Sequence, residues 1–486
     1  MRRFLLLSGC ALALTACGTT VPTSALQAAG LGAADGLGPA TRQDAPGSPG
    51  SGVNPGALAS SAGPAGSTGG GAVSAPLSRG ASGSSPVSSS SGPVAKSAVP
   101  LKVGILYISG ADTVASSFGI SGLSTGDTVA QSKAVAGYLN GHGGISGRQV
   151  QLSYGELKAS QMSSDPDSAH AAACAQLTQD DKVAYVMSYV QLTTNQLACY
   201  AKAGVTVLDD QSSTPDAAGA KYAATFGSPG ELALGRAARE LVEALWRRGW
   251  LTAKSKVGTL VFDTPDGIDL ETHYLKPALA EHGLTPVTAR ESSGIDGANQ
   301  NSTVLHFRSA GVDRVIPLGA NPLFLMNAAE SQGYRPWYAL TSTFGPGALL
   351  ESAAPPNQLH HAAGIGWSKY LDIGSGTKPG AVSPNETLCF AIMKANRQQS
   401  SQATVQAFQV ALCNVLFFLK AAGERYGLSA TLLDRVRSSG LAFGPADAFA
   451  IRMVAGRADG VAAYRDLVYS DACSCFQYDG GNRATS

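Results

Sequence analysis

The cysteines are the residues whose chemistry can be read most directly from this 486-residue sequence. Cys10 and Cys17 lie near the N-terminus, and six more lie in the body of the chain. These six are Cys174, Cys199, Cys389, Cys413, Cys473 and Cys475. An even number of cysteines favours disulfide bonds in an exported protein, and the rival interpretation is metal binding. Because the C-x-C pair Cys473–Cys475 lacks the C-x-x-C spacing of common zinc sites, we favour disulfides and expect no metal site.

The arrangements that usually carry out catalysis are not found in the sequence. It contains neither the G-x-S-x-G of a nucleophile elbow nor the H-E-x-x-H of a zinc enzyme nor a phosphate-binding P-loop. His360 and His361 form the only adjacent histidine pair, and neighbouring side chains point apart on a strand or helix. We therefore expect a protein that is not an enzyme and that needs no cofactor. A net charge of +1 without a long basic run also argues against nucleic-acid binding.

The N-terminus carries an export signal. Met1-Arg2-Arg3 precedes an apolar stretch that is too short to span a bilayer, which is typical of a signal peptide over residues 1–16. The stretch ends in Leu14-Thr15-Ala16-Cys17, which resembles a bacterial lipobox. This resemblance implies that Cys17 becomes the lipidated N-terminus and anchors the protein to the outer face of the cell membrane.

Residues 17–98 differ in composition from the rest of the chain. Gly, Ser, Ala and Pro dominate the segment, and it has no aromatic residue. Such a composition cannot bury enough apolar surface to offset its chain entropy, so we expect a disordered tether. A Gly/Ser-rich coil of this length reaches roughly 50 Å, enough to hold a globular domain clear of the membrane.

From Leu101 onward the pattern alternates between strand and helix. Short apolar runs such as 103–108, 183–187 and 205–208 are typical of buried strands, and helical segments separate them. The alternation restarts near residue 231 and continues to about residue 332. This order predicts an α/β protein with two doubly wound parallel-sheet lobes.

The same order of elements suggests a pairing for two of the cysteines. Cys174 lies in the predicted helix before the third strand, and Cys199 lies in the helix after it. Helices on one face of a doubly wound sheet can be neighbours, so we pair these two cysteines. Cys389 with Cys413 and Cys473 with Cys475 are the further pairs that we consider, and the connectivity beyond the first pair stays open.

A glycine-rich turn connects the first predicted helix to the second predicted strand. The segment 139–152, LNGHGGISGRQVQL, resembles the N-x-x-GGI-x-GR-x-V-x-L turn of type I periplasmic solute-binding proteins, the leucine/isoleucine/valine-binding group of ABC-importer receptors. Segment 256–267 (KVGTLVFDTPDG) and Ser109-Gly110 are further similarities. The resemblance implies a small-molecule solute bound between two lobes, three hinge crossings and an ABC permease in the membrane as partner.

The crossings implied by the family place the lobe boundaries near residues 226–228, 364–366 and 443–445. The resulting division is signal peptide 1–16, tether 17–98, lobe one 99–226 plus 367–444, lobe two 227–366 plus 445–480, and tail 481–486. In such folds a ligand lies at the carboxyl ends of the strands.

The family's site residues can be carried over to matching positions. The loops that follow the strands offer an aromatic group, neutral donors and acceptors, and acids. The candidate ligand-binding residues are Phe118, Tyr189, Gln191, Thr193, Gln211, Ser212, Ser213, Asp263, Asp266 and Phe344.

The second lobe departs from the family pattern. Segment 341–350 contains no acid opposite the ligand ammonium, and Asp266 stands where an aromatic is expected. An α-ammonium ligand would need Asp263, Asp266 or Glu351 as a substitute partner. The resemblance thus implies solute capture for an ABC importer while leaving the solute open, and the alternative is a surface sensor or interaction protein on the same fold.

Replacing Cys17 with Ser tests the anchor. Because the serine hydroxyl cannot accept the lipid, we expect Cys17→Ser to move the protein from the membrane fraction into the soluble fraction. Membrane retention of the variant without unprocessed precursor would contradict a lipoprotein.

Overall fold

Two β-sheets organise the residues that the computed structural model describes, which are 99–113, 124–210, 215–291, 299–352, 354–373 and 382–486. Successive strand residues contribute to cores on opposite faces of each sheet. In the first sheet Val186 belongs to one core and Met187 to the other, and in the second sheet Leu260 and Val261 divide in the same way. Strands buried on both faces explain the continuous apolar runs in the sequence.

The first sheet has five parallel strands in the order β2-β1-β3-β4-β5. Its strands are β1 (Leu101–Ser109), β2 (Val150–Lys158), β3 (Tyr185–Ser188), β4 (Thr206–Asp209) and β5 (Phe226–Gly227). We call this sheet and the helices that pack on it the first half of the fold.

The second sheet has seven strands in the order β14-β13-β10-β9-β8-β6-β7 and defines the second half. Its strands are β6 (Val257–Phe262), β7 (Val287–Glu291), β8 (Arg314–Pro317), β9 (Trp337–Thr341), β10 (Ala363–Gly366), β13 (Ala463–Ser470) and β14 (Cys475–Ala484). A separate ribbon pairs β11 (Ala442–Phe443) with β12 (Ile451–Arg452).

Two details of the second half differ from the sequence analysis. β13 and β14 form an antiparallel hairpin at the sheet edge, and β14 continues to Ala484, which pairs with Ala463. Residues 481–484 are therefore part of the sheet and not of a separate tail. Segment 448–454, whose apolar residues predict a strand, forms one only at Ile451–Arg452, which pairs with the short β11, and isolated bridges join Ala448 to Ser368 and Ile451 to Val461.

Helices connect the strands. They span Thr128–Gly141, Ala159–Ser164, Pro166–Ala175, Thr194–Lys202, Asp216–Lys221, Leu234–Arg247, Pro265–Leu270, Lys276–Glu281, Gln300–Ser309, Pro322–Ser331, Pro346–Glu351, Pro356–Leu359, Lys369–Asp372, Pro384–Ala395, Ala403–Tyr426 and Leu432–Ser439. π-helical turns at Gln176–Asp180 and Glu271–Leu275 extend two of them, and Ser342–Phe344 is a 3₁₀ turn.

The helix Ala403–Tyr426 returns to the first half after β10 and packs on the first sheet. Within the described ranges it is the one helix whose length and composition would allow it to cross a membrane, and 78% of its most apolar window is buried in the protein. The chain thus crosses between the halves after β5, after β10 and after the helix Leu432–Ser439.

Three disulfides are present in the described ranges, and they join Cys174 to Cys199, Cys389 to Cys413 and Cys473 to Cys475. The first links the helix Pro166–Ala175 to the helix Thr194–Lys202. The second ties the helix Pro384–Ala395 to the helix Ala403–Tyr426. Both therefore fix pairs of helices against the first sheet.

The glycine-rich turn ends the helix Thr128–Gly141 and leads into β2. Gly143 and Gly144 have φ angles of 89° and 72°, and the Gly144 amide donates to the Leu139 carbonyl at 2.8 Å. A Cβ atom at Gly144 would overlap the backbone carbonyl oxygen of Arg148, whereas one at Gly143 would meet no atom within 4 Å. The turn therefore needs glycine at position 144 for space as well as for backbone conformation.

Alanine substitutions in this turn separate the two effects. Gly143→Ala is expected to cost about 1–2 kcal/mol, because an L-residue takes up a left-handed conformation. Gly144→Ala is expected to cost clearly more, because the Arg148 carbonyl is itself held by a hydrogen bond from Ile145. Urea unfolding of both variants measures the difference, and equal destabilisation would contradict the steric account.

Candidate functional site

The carboxyl ends of the parallel strands in the two sheets face a common cleft. The loop after β3 and the helix after β6 touch across it, since Thr194 Oγ1 donates to Asp266 Oδ1 at 2.8 Å. The Thr194 amide donates to Asp266 Oδ2 at 3.3 Å. Asp266, predicted as a ligand-binding acid, thus binds the first residue of the helix Thr194–Lys202 of the other half.

A second carboxylate makes the same kind of contact at another point of the cleft. Glu351 ends the helix Pro346–Glu351 of the second half, and its side chain accepts from the amides of Ala403 and Thr404 at 3.3 and 3.4 Å. These amides begin the helix Ala403–Tyr426, whose positive dipole end favours an anion. Both contacts hold the two halves together through a carboxylate at a helix N-terminus.

A cavity of about 430 Å³ opens at the carboxyl end of β1. Its walls combine aromatic and aliphatic side chains with hydroxyl groups. They include Tyr107, Thr125, Tyr189, Leu371, Thr404 and Phe408. The rings of Tyr189 and Phe408 are 6.5 Å apart. Apolar walls with a few polar groups are typical of small-molecule sites.

Tyr189 has an unusual environment in this wall. The residue is 7% exposed, and its hydroxyl has no hydrogen-bond partner among the described residues. Burial raises the pKa of Tyr189 well above its usual value, and the neighbouring Asp210 and Asp209 raise it further. The group therefore stays neutral and keeps its capacity to donate and to accept a hydrogen bond.

The other predicted residues have different surroundings. Thr193 caps the helix Thr194–Lys202, because its Oγ1 accepts from the Gln196 amide at 3.3 Å while Gln196 Oε1 accepts from the Thr193 amide at 3.0 Å. Asp263 is 62% exposed, and its carboxylate lies 3.9 Å from the Arg290 guanidinium.

The remaining predicted residues lie elsewhere or outside the described ranges. Gln191 is half-buried in the loop after β3. Phe344 packs edge-on against Phe262, with ring centres 6.4 Å apart. Outside the described residues lie Cys17, Phe118, Gln211, Ser212 and Ser213.

Sequence reasoning did not find Tyr107, Leu371, Thr404 and Phe408 as cavity residues. They come from a strand interior, a hinge helix and the start of the long helix, so no local motif connects them. In the described ranges, no group of three or more His, Cys, Asp or Glu residues is placed to hold a metal ion.

Buried carboxylates join the three hinge crossings. Trp367 Nε1 donates to Glu231 Oε2 at 3.1 Å and connects the second crossing to the first. Ser368 Oγ donates to Asp447 Oδ2 at 2.6 Å and connects the second crossing to the third. All four residues are nearly inaccessible to solvent, so the hydrogen bonds are shielded from competing water.

The end of β4 is tied to the third crossing through one amide side chain. Asn414 Nδ2 donates to Asp210 Oδ2 at 2.7 Å, and Asn414 Oδ1 accepts from the Ala446 amide at 3.0 Å. Burial raises the pKa values of Asp210 and Glu231 well above the usual carboxyl range, and nearby carboxylates add to this effect.

Asp447 shows the same effect to a smaller extent. Burial raises its pKa to about 6, while the hydrogen bond from Ser368 and the charge of Lys369 act in the opposite direction. Its carboxyl group therefore takes up a proton at higher pH in the folded protein than in the unfolded chain.

Comparison with known proteins agrees with this fold. The model of the family described as periplasmic binding protein matches residues 101–372, more than half of the chain. No curated protein matches the sequence. The chain belongs to the periplasmic binding protein family.

Solved structures show the same fold at low sequence identity. A branched-chain amino acid ABC transporter structure from Thermus thermophilus with bound valine has a TM-score of 0.59 and 14% identity, covering 81% of this chain and 98% of that chain. A solute-binding protein from Rhodopseudomonas palustris HaA2 in complex with p-hydroxybenzoic acid has a TM-score of 0.58 and 13% identity, covering 80% and 98%. A leucine-binding protein from Thermotoga maritima has a TM-score of 0.53 and 13% identity, covering 78% and 98%.

These findings confirm the predicted fold class of two doubly wound lobes, and they confirm the resemblance to type I periplasmic binding proteins. The family consists of extracytoplasmic receptors for small molecules that work with ABC transporters. The family match therefore also confirms the prediction of a binding protein rather than an enzyme.

The hinge carboxyl group of Asp447 predicts a pH effect. Because its pKa is higher in the folded state, the protein should lose stability relative to Asp447→Asn as the pH rises from about 4 to about 6. The full change is at most about 3 kcal/mol, from about two pKa units at 1.36 kcal/mol each. Urea unfolding across this pH range measures it.

Asp434→Asn, at an exposed carboxylate on the helix Leu432–Ser439, controls for the loss of one negative charge. If the free energies of unfolding of Asp447→Asn and of the unmodified protein changed equally with pH, the carboxyl group of Asp447 would have an ordinary pKa in the folded protein, which would contradict the prediction.

Proposed function

We propose that this chain is a lipid-anchored extracytoplasmic receptor that captures a small polar solute, amino-acid-like or related, and delivers it to an ABC importer. In this proposal Cys17 carries the lipid and residues 17–98 form the tether. Lobe one comprises residues 99–226 and 367–444, and lobe two comprises residues 227–366 and 445–480. Family membership supports the receptor role, and the lipobox-like sequence supports the anchor.

The solute binds in the cavity at the carboxyl end of β1, at the edge of the cleft. The observation that carries this assignment is the position of the cavity at the carboxyl end of β1, with the buried Tyr189 side chain in its wall, because open α/β sheets bind ligands at the carboxyl ends of their strands. The volume of about 430 Å³ suits a ligand the size of an amino acid or a small aromatic acid.

Recognition of an α-ammonium group would differ from that in amino-acid-binding relatives. Asp266 and Glu351, two of the acids considered as substitutes, contact helix N-termini of the other half. Asp263 faces solvent beside Arg290. Asp112 and Asp127 are the acids that line the cavity. The proposal therefore assigns any ammonium group of the solute to these two carboxylates and not to the three acids named from the family pattern.

A thermal-shift screen against amino acids, amides, small carboxylates and sugars identifies the solute class, because a specific ligand raises the unfolding temperature by mass action. Absence of any shift with the purified chain, together with a failure to associate with a permease, would favour the alternative of a sensor or interaction protein.

Tyr189→Phe then tests the site by calorimetry with the best ligand of that screen. Removing one buried hydrogen bond is expected to weaken binding by about 0.5–1.5 kcal/mol, or about two- to twelvefold. Tyr200→Phe is the matched control, because its hydroxyl is also buried without a partner among the described residues but lies in the helix Thr194–Lys202 behind the first sheet. Equal affinities for both variants would place the solute away from Tyr189.

A further inference from the structure

The tip of the β13–β14 hairpin carries a disulfide that differs from the other two. Cys473 is exposed and Cys475 is half-buried, whereas Cys174, Cys389 and Cys413 are fully buried and Cys199 is half-buried, so this is the one pair in the described ranges with an exposed sulfur-bearing residue. Cys473 and Cys475 are two residues apart, while the other disulfides span 25 and 24 residues. We propose that the Cys473–Cys475 disulfide is a thiol–disulfide exchange site for low-molecular-weight thiols.

This disulfide contributes little to holding the fold together. On the chain-entropy model, a disulfide reduces the number of conformations of the unfolded chain. This reduction is roughly 25-fold smaller for a loop of three residues than for a loop of about 26 residues. Its removal also leaves the hairpin paired, since backbone hydrogen bonds join β13 and β14 along their length. The disulfide can therefore open and close while the fold stays intact.

A hydrogen-bond donor lies next to both sulfur atoms. Gln477 Nε2 is 3.1 Å from Cys473 Sγ and 3.5 Å from Cys475 Sγ. A side-chain amide stabilises the negative charge that forms on the departing sulfur. Gln477 is therefore placed to assist the exchange in either direction.

The exchange proceeds in two steps, each of which is the attack of a thiolate on a disulfide sulfur. The thiolate of a small thiol attacks the exposed Cys473 Sγ, the Sγ–Sγ bond breaks, and its electron pair leaves on Cys475 Sγ, which takes up a proton. A second small thiolate attacks the sulfur of the small thiol in the mixed disulfide and releases the Cys473 thiolate, which is protonated. Two small thiols are oxidised to one small disulfide, and the protein disulfide is reduced to two thiols.

Glutathione serves as the probe on the purified, oxidised full chain. Samples are equilibrated at graded ratios of reduced to oxidised glutathione, quenched with acid, alkylated and mapped by peptide mass spectrometry. We expect Cys473 and Cys475 to become alkylated at ratios at least tenfold less reducing than those needed for the other two pairs. We also expect the transient glutathione adduct on Cys473.

A substitution of the amide donor tests the mechanism. Gln477→Leu is expected to slow adduct formation severalfold, because it removes the hydrogen bond to the departing sulfur. Cys473→Ser/Cys475→Ser should unfold at the same temperature as the unmodified protein. Reduction of this pair together with the buried pairs, or a large loss of stability in the double variant, would show that the disulfide is structural and would overturn the proposal.

Discussion

Each crossing between the two halves carries a buried polar group that is hydrogen-bonded to a partner on another crossing. A carboxyl group that leaves water loses a large hydration free energy unless it is neutralised or hydrogen-bonded, so Glu231 and Asp447 constrain where Trp367 and Ser368 can lie. Asn414 extends this constraint from the end of β4 to the third crossing. The relative position of the strand ends, and with it the shape of the cleft, depends on these bonds.

Features encoded by local patterns could be predicted from the sequence. The apolar runs of β1, β3 and β4 are buried on both faces, and such runs have few alternative structures. The turn at Gly143 and Gly144 could be recognised because the left-handed backbone favours glycine at both positions, and contact with the Arg148 carbonyl adds a steric requirement at Gly144. Together these patterns were sufficient for the fold class and the family.

The residues that line the cavity and the cleft could not be predicted from local patterns. Tyr107 meets Leu371 and Phe408 in one cavity although more than 200 residues separate it from both, and each of the three has the sequence environment of an ordinary core residue. The sequence marks Asp266 as a departure from the family pattern, but its partner Thr194 belongs to the other half, so its contact depends on how the halves meet. The burial of hinge acids such as Asp447 could not be predicted from a local pattern either, because it arises only when the three crossings pack together.

The carboxylate contacts across the cleft involve protein atoms alone, which has a consequence for signalling to a membrane partner. Asp266 with Thr194, and Glu351 with the start of the helix Ala403–Tyr426, stabilise the joined arrangement equally whether or not a solute is inside. A solute can shift the balance between joined and separated halves only by its difference in affinity for the two arrangements. These contacts therefore reduce the free energy that a solute must contribute to closure. In the proposed receptor role they also raise the fraction of solute-free protein that a permease would meet in the joined form, so easier closure makes the joined form a less specific sign of bound solute.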